Sequence, residues 1–198
     1  MDSSDWNARY AERGLVWGAG PNRFLVAEAE PLEPGRALDV ACGEGRNAIW
    51  LAERGWRATG VDFSEVAVDK ARALAADRGV EAEWLAADLL EWEPPRAAFD
   101  LVLVFYLQLV REQLEPVLRR AAAAVAPGGT FLLVAHHSRN IAEGWGGPQY
   151  PEVLYGEDDV VPLLDGLAVE KAEAVTRPVE TEEGERTAVD VLVRGRRA

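Results

Sequence analysis

The sequence lacks the features that mark secreted and membrane-bound proteins. It contains one cysteine, Cys42, so no disulfide can form within the chain, which fits a reducing cytoplasm. No apolar run approaches the roughly 20 residues that a membrane-spanning helix needs. The first residues have neither the positive start nor the apolar core of a signal peptide. We therefore expect a cytoplasmic protein with no membrane partner.

Positive charge and histidine are also scarce. The chain has 21 lysines and arginines against 34 aspartates and glutamates, and its formal net charge is −13. Phosphate backbones bind basic surfaces, so this balance argues against a DNA or RNA partner. Only two histidines are present, with no cluster of ligands at metal-binding spacing, and no metal is expected. A length of 198 residues predicts a single domain.

From residue 36 onwards the pattern predicts strands that alternate with helices, which is typical of an open α/β sheet. The strand at 99–105 is nearly all apolar, as expected for a parallel strand buried on both faces. The predicted strands cover 36–41, 57–61, 81–86, 99–105, 130–135, 167–177 and 187–195. The predicted helices cover 4–13, 22–30, 46–54, 64–78, 112–126 and 157–164.

The first strand leads into a glycine turn and then a helix. Such a turn, here around Gly43 and Gly45, brings backbone N–H groups close to a ligand. Asp39 stands inside the strand, where a carboxylate without a partner costs several kcal/mol. A cationic ligand would supply that partner.

Two ligands fit the turn. Residues 43–48 match the G-x-G-x-x-A pattern of dinucleotide-binding proteins, and Asp62, about 20 residues further on, is placed to bind ribose hydroxyls. NAD would bring its pyrophosphate against Asp39 and Glu44, whereas S-adenosylmethionine (SAM) brings an ammonium and a sulfonium. Asp88 follows the third strand, so three successive strands end at or near an acid. These charges favour SAM. An NAD-dependent oxidoreductase and a non-catalytic SAM-binding protein remain as alternatives.

Four motifs carry a resemblance to a known family. Leu38–Asn47 resembles the first motif of the class I SAM-dependent methyltransferases, and within them the small-molecule branch of the tellurite-resistance and thiopurine methyltransferases. Ala41 departs from the pattern, because glycine is usual there, and Arg46 stands where a third glycine is common. The remaining motifs match at Val61–Ser64, Ala87–Leu89 and Ala126–Thr130.

The resemblance implies a Rossmann-like, seven-stranded, mostly parallel sheet with an antiparallel last strand, helices on both faces and an N-terminal helical extension. It implies one methyltransferase domain over 1–198. Within it, 1–34 would form a helical lid and 35–136 the SAM-binding core. Residues 137–198 would supply a substrate loop, a short helix and a terminal β-hairpin.

The resemblance also implies roles for individual residues. Asp39 would lie near the methionyl ammonium of SAM, Asp62 would bind the ribose hydroxyls, and Asp88 the adenine edge. The full set of implied cofactor residues is Asp39, Ala41, Cys42, Gly43, Gly45, Arg46, Asn47, Asp62, Phe63, Ala87, Asp88, Leu89 and Phe105.

Methyl transfer from a sulfonium needs chiefly alignment, and a base only where the acceptor is still protonated. The candidate catalytic residues are Tyr106, His136 and His137. Neighbours on an extended segment point to opposite sides, so we expect at most one histidine to face the pocket. Each candidate has a structural alternative: Tyr106 half-buried beneath the next helix, and the histidines bonded to loop backbone.

Further residues are candidates for binding the acceptor. Trp17 and Trp145 stand in glycine-rich loops and suit a lid that excludes water. Arg177, at the end of the sixth strand, would hold an anionic substrate or else be solvated. With Tyr106 and His137 they form the predicted acceptor-binding set. The predicted function is SAM-dependent methyl transfer to a small-molecule acceptor, with the acceptor atom and the oligomeric state left open.

Overall fold

A computed structural model describes residues 3–11, 14–16 and 18–198, with side chains described from residue 6. Trp17 lies outside the described residues. The strands are β1 (Arg36–Val40), β2 (Arg57–Asp62), β3 (Glu83–Ala86), β4 (Phe99–Phe105), β5 (Val125–His136), β6 (Leu167–Thr181) and β7 (Gly184–Arg197). The described helices are α1 (Ser3–Ala11), α2 (Arg23–Ala29), α3 (Arg46–Ala52), α4 (Glu65–Asp77), α5 (Arg111–Ala124), α6 (Asn140–Glu143) and α7 (Glu157–Val160).

The seven strands form one sheet in the order β3-β2-β1-β4-β5-β7-β6. The first five strands pair in parallel, and β7 runs antiparallel to both β5 and β6. This confirms the predicted sheet, including its antiparallel last strand. Because β6 is parallel to β1–β5, six strands point their carboxyl ends towards the same edge, where α/β sheets bind ligands.

Helices cover both faces of the sheet, as predicted. Leu38 and Val40 of β1 pack in a cluster with α5 on one face. Ala37 belongs to a second cluster with α2 and α3 on the other face. Since side chains alternate along a strand, Asp39 shares the α2 and α3 side with Ala37. A carboxylate is thereby placed within an apolar layer.

Several element boundaries differ from the prediction. β5 begins at Val125 and includes the proline and glycines expected to precede it, with a register shift opposite 99–101. Gly128 has a φ of 75°, which lets the strand bend there. The predicted helix at 157–164 is divided at Val160 into α7 and a 3-10 turn that contains Pro162. The terminal strands extend to a tight turn because their pairing continues as far as Thr181 and Gly184.

The indole ring of Trp84 on β3 explains why two nearby positions are occupied by glycine. A Cβ atom at Gly45 or at Gly60 would overlap the indole ring of Trp84. Gly45 also has a φ of 78° as the N-cap of α3. Only glycine meets both requirements, so Gly45 is needed to pack the turn against β3 whether or not a ligand approaches it.

A buried carboxylate ties α2 to the terminal hairpin. Glu28, 8% exposed, accepts hydrogen bonds from Lys171 on β6 and from Arg194 on β7, the latter at 3.1 Å. Burial by itself raises the pKa of Glu28, but the two cations more than offset this and the pKa lies below its ordinary value. The ionised form is therefore favoured in the folded chain.

We expect Glu28→Gln to destabilise the fold by about 1–3 kcal/mol at neutral pH, because two cations lose a buried partner. A lowered folded-state pKa contributes stability above the unfolded pKa of about 4.3, and that contribution disappears as pH falls below it. Urea unfolding at about pH 7 and pH 3.5 measures both effects. Glu170→Gln is the matched control, since Glu170 also binds Arg194 but is more exposed, and it should cost about 0–1 kcal/mol. Equal losses in the two variants at neutral pH would contradict this interpretation.

Candidate active site

A cavity of about 780 Å³ lies at the carboxyl-end edge of the sheet. Its volume falls within the range of about 300–1,000 Å³ that is typical of small-molecule sites. Segments that follow β1, β2, β3 and β4 form its walls together with residues of β5 and β6. Trp6 and Tyr10 of α1 line it from the N-terminal side. The cavity is therefore enclosed between the N-terminal segment and the carboxyl-end edge of the sheet.

The glycine turn forms one wall of the cavity, and Asp62 holds it in place. The Asp62 carboxylate accepts hydrogen bonds from the N–H of Gly43 at 2.8 Å and from the N–H of Ser64 at 3.0 Å. Burial raises the pKa of Asp62, while these backbone donors lower it. Asp62 lines the cavity, so its remaining acceptor capacity lies beside a ligand.

Two non-glycine residues at the cavity have left-handed backbone. Ala41, in the position where glycine is usual, has a φ of 60°, and Tyr106 has a φ of 54°. This conformation costs an alanine about 1–2 kcal/mol. Strained residues cluster at functional sites, where the surrounding structure holds them. Both residues line the cavity directly after a strand.

Asp39 is a buried carboxylate without a hydrogen-bond partner. It is 1% exposed, and neither oxygen is bonded to any group in the described part of the chain. Burial raises the pKa of Asp39 to about 7, opposed by the nearby N–H of Ala48 and the charge of Arg46. Asp39 does not itself line the cavity but stands in β1 two residues before Ala41, which does. A cationic group in this part of the cavity would stabilise the ionised form.

Glu44 has a different role from the one its sequence position indicated. It is 3% exposed, forms an ion pair with Lys70 at 3.2 Å, and accepts a hydrogen bond from the N–H of Val16. Asn47 acts in the same way, accepting from the N–H of Asn22 at 2.9 Å. The positive charge of Lys70 offsets the charge of Glu44. The expectation that Glu44 would repel a pyrophosphate is therefore wrong. The two side chains fasten the N-terminal segment over the turn.

The third acid lies at the far wall. Asp88 is exposed and lines the cavity with Phe63 and Leu89. Its carboxylate accepts a hydrogen bond from the N–H of Leu90 at 2.9 Å, which shapes the turn after β3. An exposed acid beside two apolar side chains suits a planar ligand with polar edges.

All the predicted cofactor residues line the cavity except Asp39, Gly45 and Ala87. Asp39 and Gly45 belong to the strand and the turn that form its wall. Ala87 precedes Asp88, which does line it. The structure therefore brings the predicted set to one region.

The other end of the cavity contains a polar cluster centred on Asp190 of β7. Asp190 is fully buried, and its Oδ2 accepts hydrogen bonds from the Tyr106 hydroxyl and from Arg177 Nε, each at 2.7 Å. Its Oδ1 lies 3.4 Å from Nδ1 of His136. Tyr106, His136 and Arg177 all line the cavity. Three predicted acceptor-side residues thus meet on one carboxylate.

Sequence reasoning missed Asp190. The signal was present, because Asp190 interrupts the apolar run from Val189 to Val193 just as Asp39 interrupts β1. A carboxylate inside an apolar strand needs a specific partner. In the structure its hydrogen-bond partners are Tyr106 and Arg177, and the register of β5 and β7 places His136 directly opposite it.

The remaining acceptor-side candidates lie elsewhere. His137 is buried away from the cavity lining, with Nδ1 accepting from the N–H of Arg139 and Nε2 lying 3.3 Å from Glu157. Trp145 is 47% exposed and packs against the guanidinium of Arg186. Neither lines the cavity.

Two further observations concern metals and membranes. Among the described residues, no group of three or more His, Cys, Asp or Glu side chains is arranged to hold a metal ion. Within the same ranges, no helix has the length and apolar character needed to cross a membrane.

The sheet core is similar in sequence to known methyltransferases. Residues 37–129 match the family model described as a methyltransferase domain. An uncharacterised methyltransferase, Mb0092 of Mycobacterium bovis, is 32% identical over 129 residues, which are 65% of this chain and 64% of that protein. The ribosomal RNA small subunit methyltransferase C of Alcanivorax borkumensis is 32% identical over 111 residues, covering 52% of this chain and 33% of that protein.

The fold extends beyond the matched core. The structure of TehB from Haemophilus influenzae superposes with a TM-score of 0.74 at 15% identity, covering 99% of this chain and 67% of TehB. That likeness concerns the fold alone. The chain spans between about a third and two thirds of the length of the curated relatives it matches.

The raised pKa of Asp39 predicts a pH-dependent stability in the absence of ligand. The folded chain binds a proton at Asp39 up to about pH 7, whereas the unfolded chain releases it near pH 4, so stability falls as pH rises between these values. We expect Asp39 to contribute a loss of roughly 2–4 kcal/mol across this window. Urea unfolding from pH 5 to 8 of the wild type and of Asp39→Asn measures it. The slope should be shallower in the variant, and parallel curves would contradict the prediction.

Proposed function

We propose that the chain is a class I SAM-dependent methyltransferase, which transfers a methyl group from SAM to a small-molecule acceptor by direct in-line displacement. The observation that carries this proposal is the unpartnered Asp39 carboxylate beside the glycine turn. SAM supplies cations there, and the strand-end acids continue along the same wall.

The residues present fit SAM from one end to the other. Asp39 would face the methionyl ammonium across the turn at Gly43. Asp62, already bonded to the turn, would accept from the ribose hydroxyls. Phe63 and Leu89 would enclose the adenine, with Asp88 at its edge. When bound, SAM supplies an activated methyl group, and the protein's task is to orient it towards the acceptor end.

Two observations support a small acceptor over a nucleic acid. The cavity is covered by the N-terminal segment, which Glu44 and Asn47 fasten to the turn. The net charge of −13 disfavours a polyanionic partner. We accordingly propose that residues 1–34 act as a lid, 35–136 as the SAM-binding core and 137–198 as the acceptor-side segment.

The alternatives lead to different outcomes. An NAD-dependent oxidoreductase would require a pyrophosphate beside the buried Asp39, which would hold that carboxylate in its neutral form. A non-catalytic SAM-binding protein would bind SAM but show no transfer from it. Binding and transfer are therefore measured separately.

We expect calorimetry to detect binding of S-adenosylhomocysteine (SAH), which keeps the ammonium of SAM. Below about pH 7 the ligand must displace a proton from Asp39, so affinity should rise by up to about tenfold per pH unit and level off above pH 7. Titrations in two buffers of different ionisation enthalpy would show proton release at pH 6. Asp39→Asn should remove the pH dependence and weaken binding at about pH 7.5 by roughly 1–3 kcal/mol.

Asp88→Asn is the matched control for this test. Asp88 is exposed, so its variant should keep the pH dependence even where affinity falls. Binding of NADH without binding of SAM or SAH would overturn the proposed function. SAH binding that is independent of pH would overturn only the role of Asp39.

A further inference from the structure

We infer that the methyl acceptor is a neutral, weakly acidic hydroxyl on an apolar ring or conjugated system, and that His136, positioned by Asp190, removes its proton. The inference rests on the proposed methyl transfer and specifies the acceptor class. It is carried by the arrangement of the polar cluster, of which Asp190 is the new member.

The His136 ring has a close neighbour on each of two sides. Asp190 stands opposite it in the β5–β7 register, with Oδ1 3.4 Å from the buried Nδ1. On the ring edge, a Cβ at Gly147 would come within 3.0 Å of Cε1 and Nδ1, so the backbone of the 137–154 loop covers that edge. The ring itself lines the cavity. Neither Nδ1 of His136 nor Oδ1 of Asp190 has a hydrogen-bond partner in the described structure. A proton on Nδ1, turned towards Oδ1, would satisfy both buried atoms and would leave the Nε2 lone pair of His136 for an acceptor.

Tyr106 does not compete for the role of base. Its hydroxyl donates to Asp190, and burial together with that carboxylate raises the pKa of Tyr106 well above its usual range. It therefore keeps its proton at neutral pH. His137 lies outside the cavity lining, which leaves His136 as the base among the predicted candidates.

The charges of the cluster indicate a neutral acceptor. Arg177 was expected to hold an anionic substrate, but its Nε donates to Asp190 at 2.7 Å and its guanidinium lies over the Tyr106 ring. One carboxylate and one guanidinium compensate each other, and Tyr106 is neutral. Because Arg177 is already paired with Asp190, it offers an anionic acceptor little attraction, and a cationic acceptor would face Arg177 beside the sulfonium.

A base serves an acceptor that is still protonated at neutral pH, and a hydroxyl of moderate acidity meets that condition. An unprotonated amine already has its lone pair, so it requires no base to begin the attack. A phenol-like hydroxyl, with a pKa of about 10, lies within reach of an imidazole, whereas an alcohol near the pKa of water, about 15.7, does not. Phe105, Leu107 and Leu109 give this end of the cavity apolar walls suited to a ring.

The proposed step balances without a further reactant. Nε2 of His136 takes the hydroxyl proton while the acceptor oxygen forms a bond to the methyl carbon. The carbon–sulfur bond breaks with its electron pair remaining on sulfur, which loses its positive charge. His136 then passes its proton to water. The products are a methyl ether, SAH and one proton.

The first test does not depend on turnover. We expect nitrogen-15 NMR of the SAH complex, labelled at histidine, to show His136 with the proton on Nδ1. Asp190→Asn should change this tautomer distribution, whereas Glu157→Gln, the same substitution beside His137, should leave the His136 signals as they are. A proton on Nε2 of His136 in the wild type would overturn the inference.

The second test uses two phenols as probes at about pH 8, where phenol retains its proton and 4-nitrophenol is largely ionised. We expect the wild type to methylate both with SAM. His136→Gln should lower the rate for phenol by about 10²-fold and for 4-nitrophenol by much less. Asp190→Asn should shift the same ratio in the same direction, while Glu157→Gln should not.

Other outcomes separate the two proposals. Equal losses for both phenols would overturn the role of His136. Transfer to thiophenol or aniline but not to phenol, or no transfer to any phenol by protein that binds SAH, would overturn the acceptor class and leave SAM binding intact. Failure to bind SAH would instead count against the proposed function.

Discussion

The cavity depends on one carboxylate that joins two neighbouring strand ends. Asp62 accepts from Gly43 in the turn after β1 and from Ser64 at the start of α4. The first of these hydrogen bonds anchors the turn two residues after Ala41, whose backbone is left-handed. Buried N–H groups require acceptors, and a single side chain at the end of β2 satisfies two of them. The walls on either side of the ligand are thereby fixed to each other.

Three buried aspartates at this edge of the sheet differ in their hydrogen-bond partners. Asp62 is bonded to backbone N–H groups, and Asp190 to a hydroxyl and a guanidinium. Asp39 has no hydrogen-bond partner in the described structure. Burial alone raises the pKa of Asp39 and of Asp62, and the donors and charges around each carboxylate oppose that rise. The two bonded carboxylates hold residues of the cavity wall in place, Asp62 through Gly43 and Asp190 through Tyr106 and Arg177, whereas Asp39 is free of such a role.

Different groups of side chains lie at the two ends of the cavity. Strand-end acids and the glycine turn occupy one end, and the Asp190 cluster occupies the other. The N-terminal segment is attached to the end with the glycine turn, because Glu44 and Asn47 accept hydrogen bonds from the backbone N–H groups of Val16 and Asn22. The glycine turn, whose sequence predicts ligand binding and which we propose binds SAM, therefore also holds the N-terminal segment in place.

Local patterns in the sequence determined the order of strands and helices, the glycine turn and the acids that follow the first three strands. These features depend on near neighbours, on side-chain alternation and on the cost of a carboxylate within an apolar strand. Tertiary structure decided the partners. It tied Glu44 to Lys70, set Gly45 against Trp84, moved His137 away from the cavity and placed Asp190 opposite His136. The physical reason is that pairing between β5 and β7 joins distant segments, and a shift of one residue in that register would turn Asp190 to the other face of the sheet.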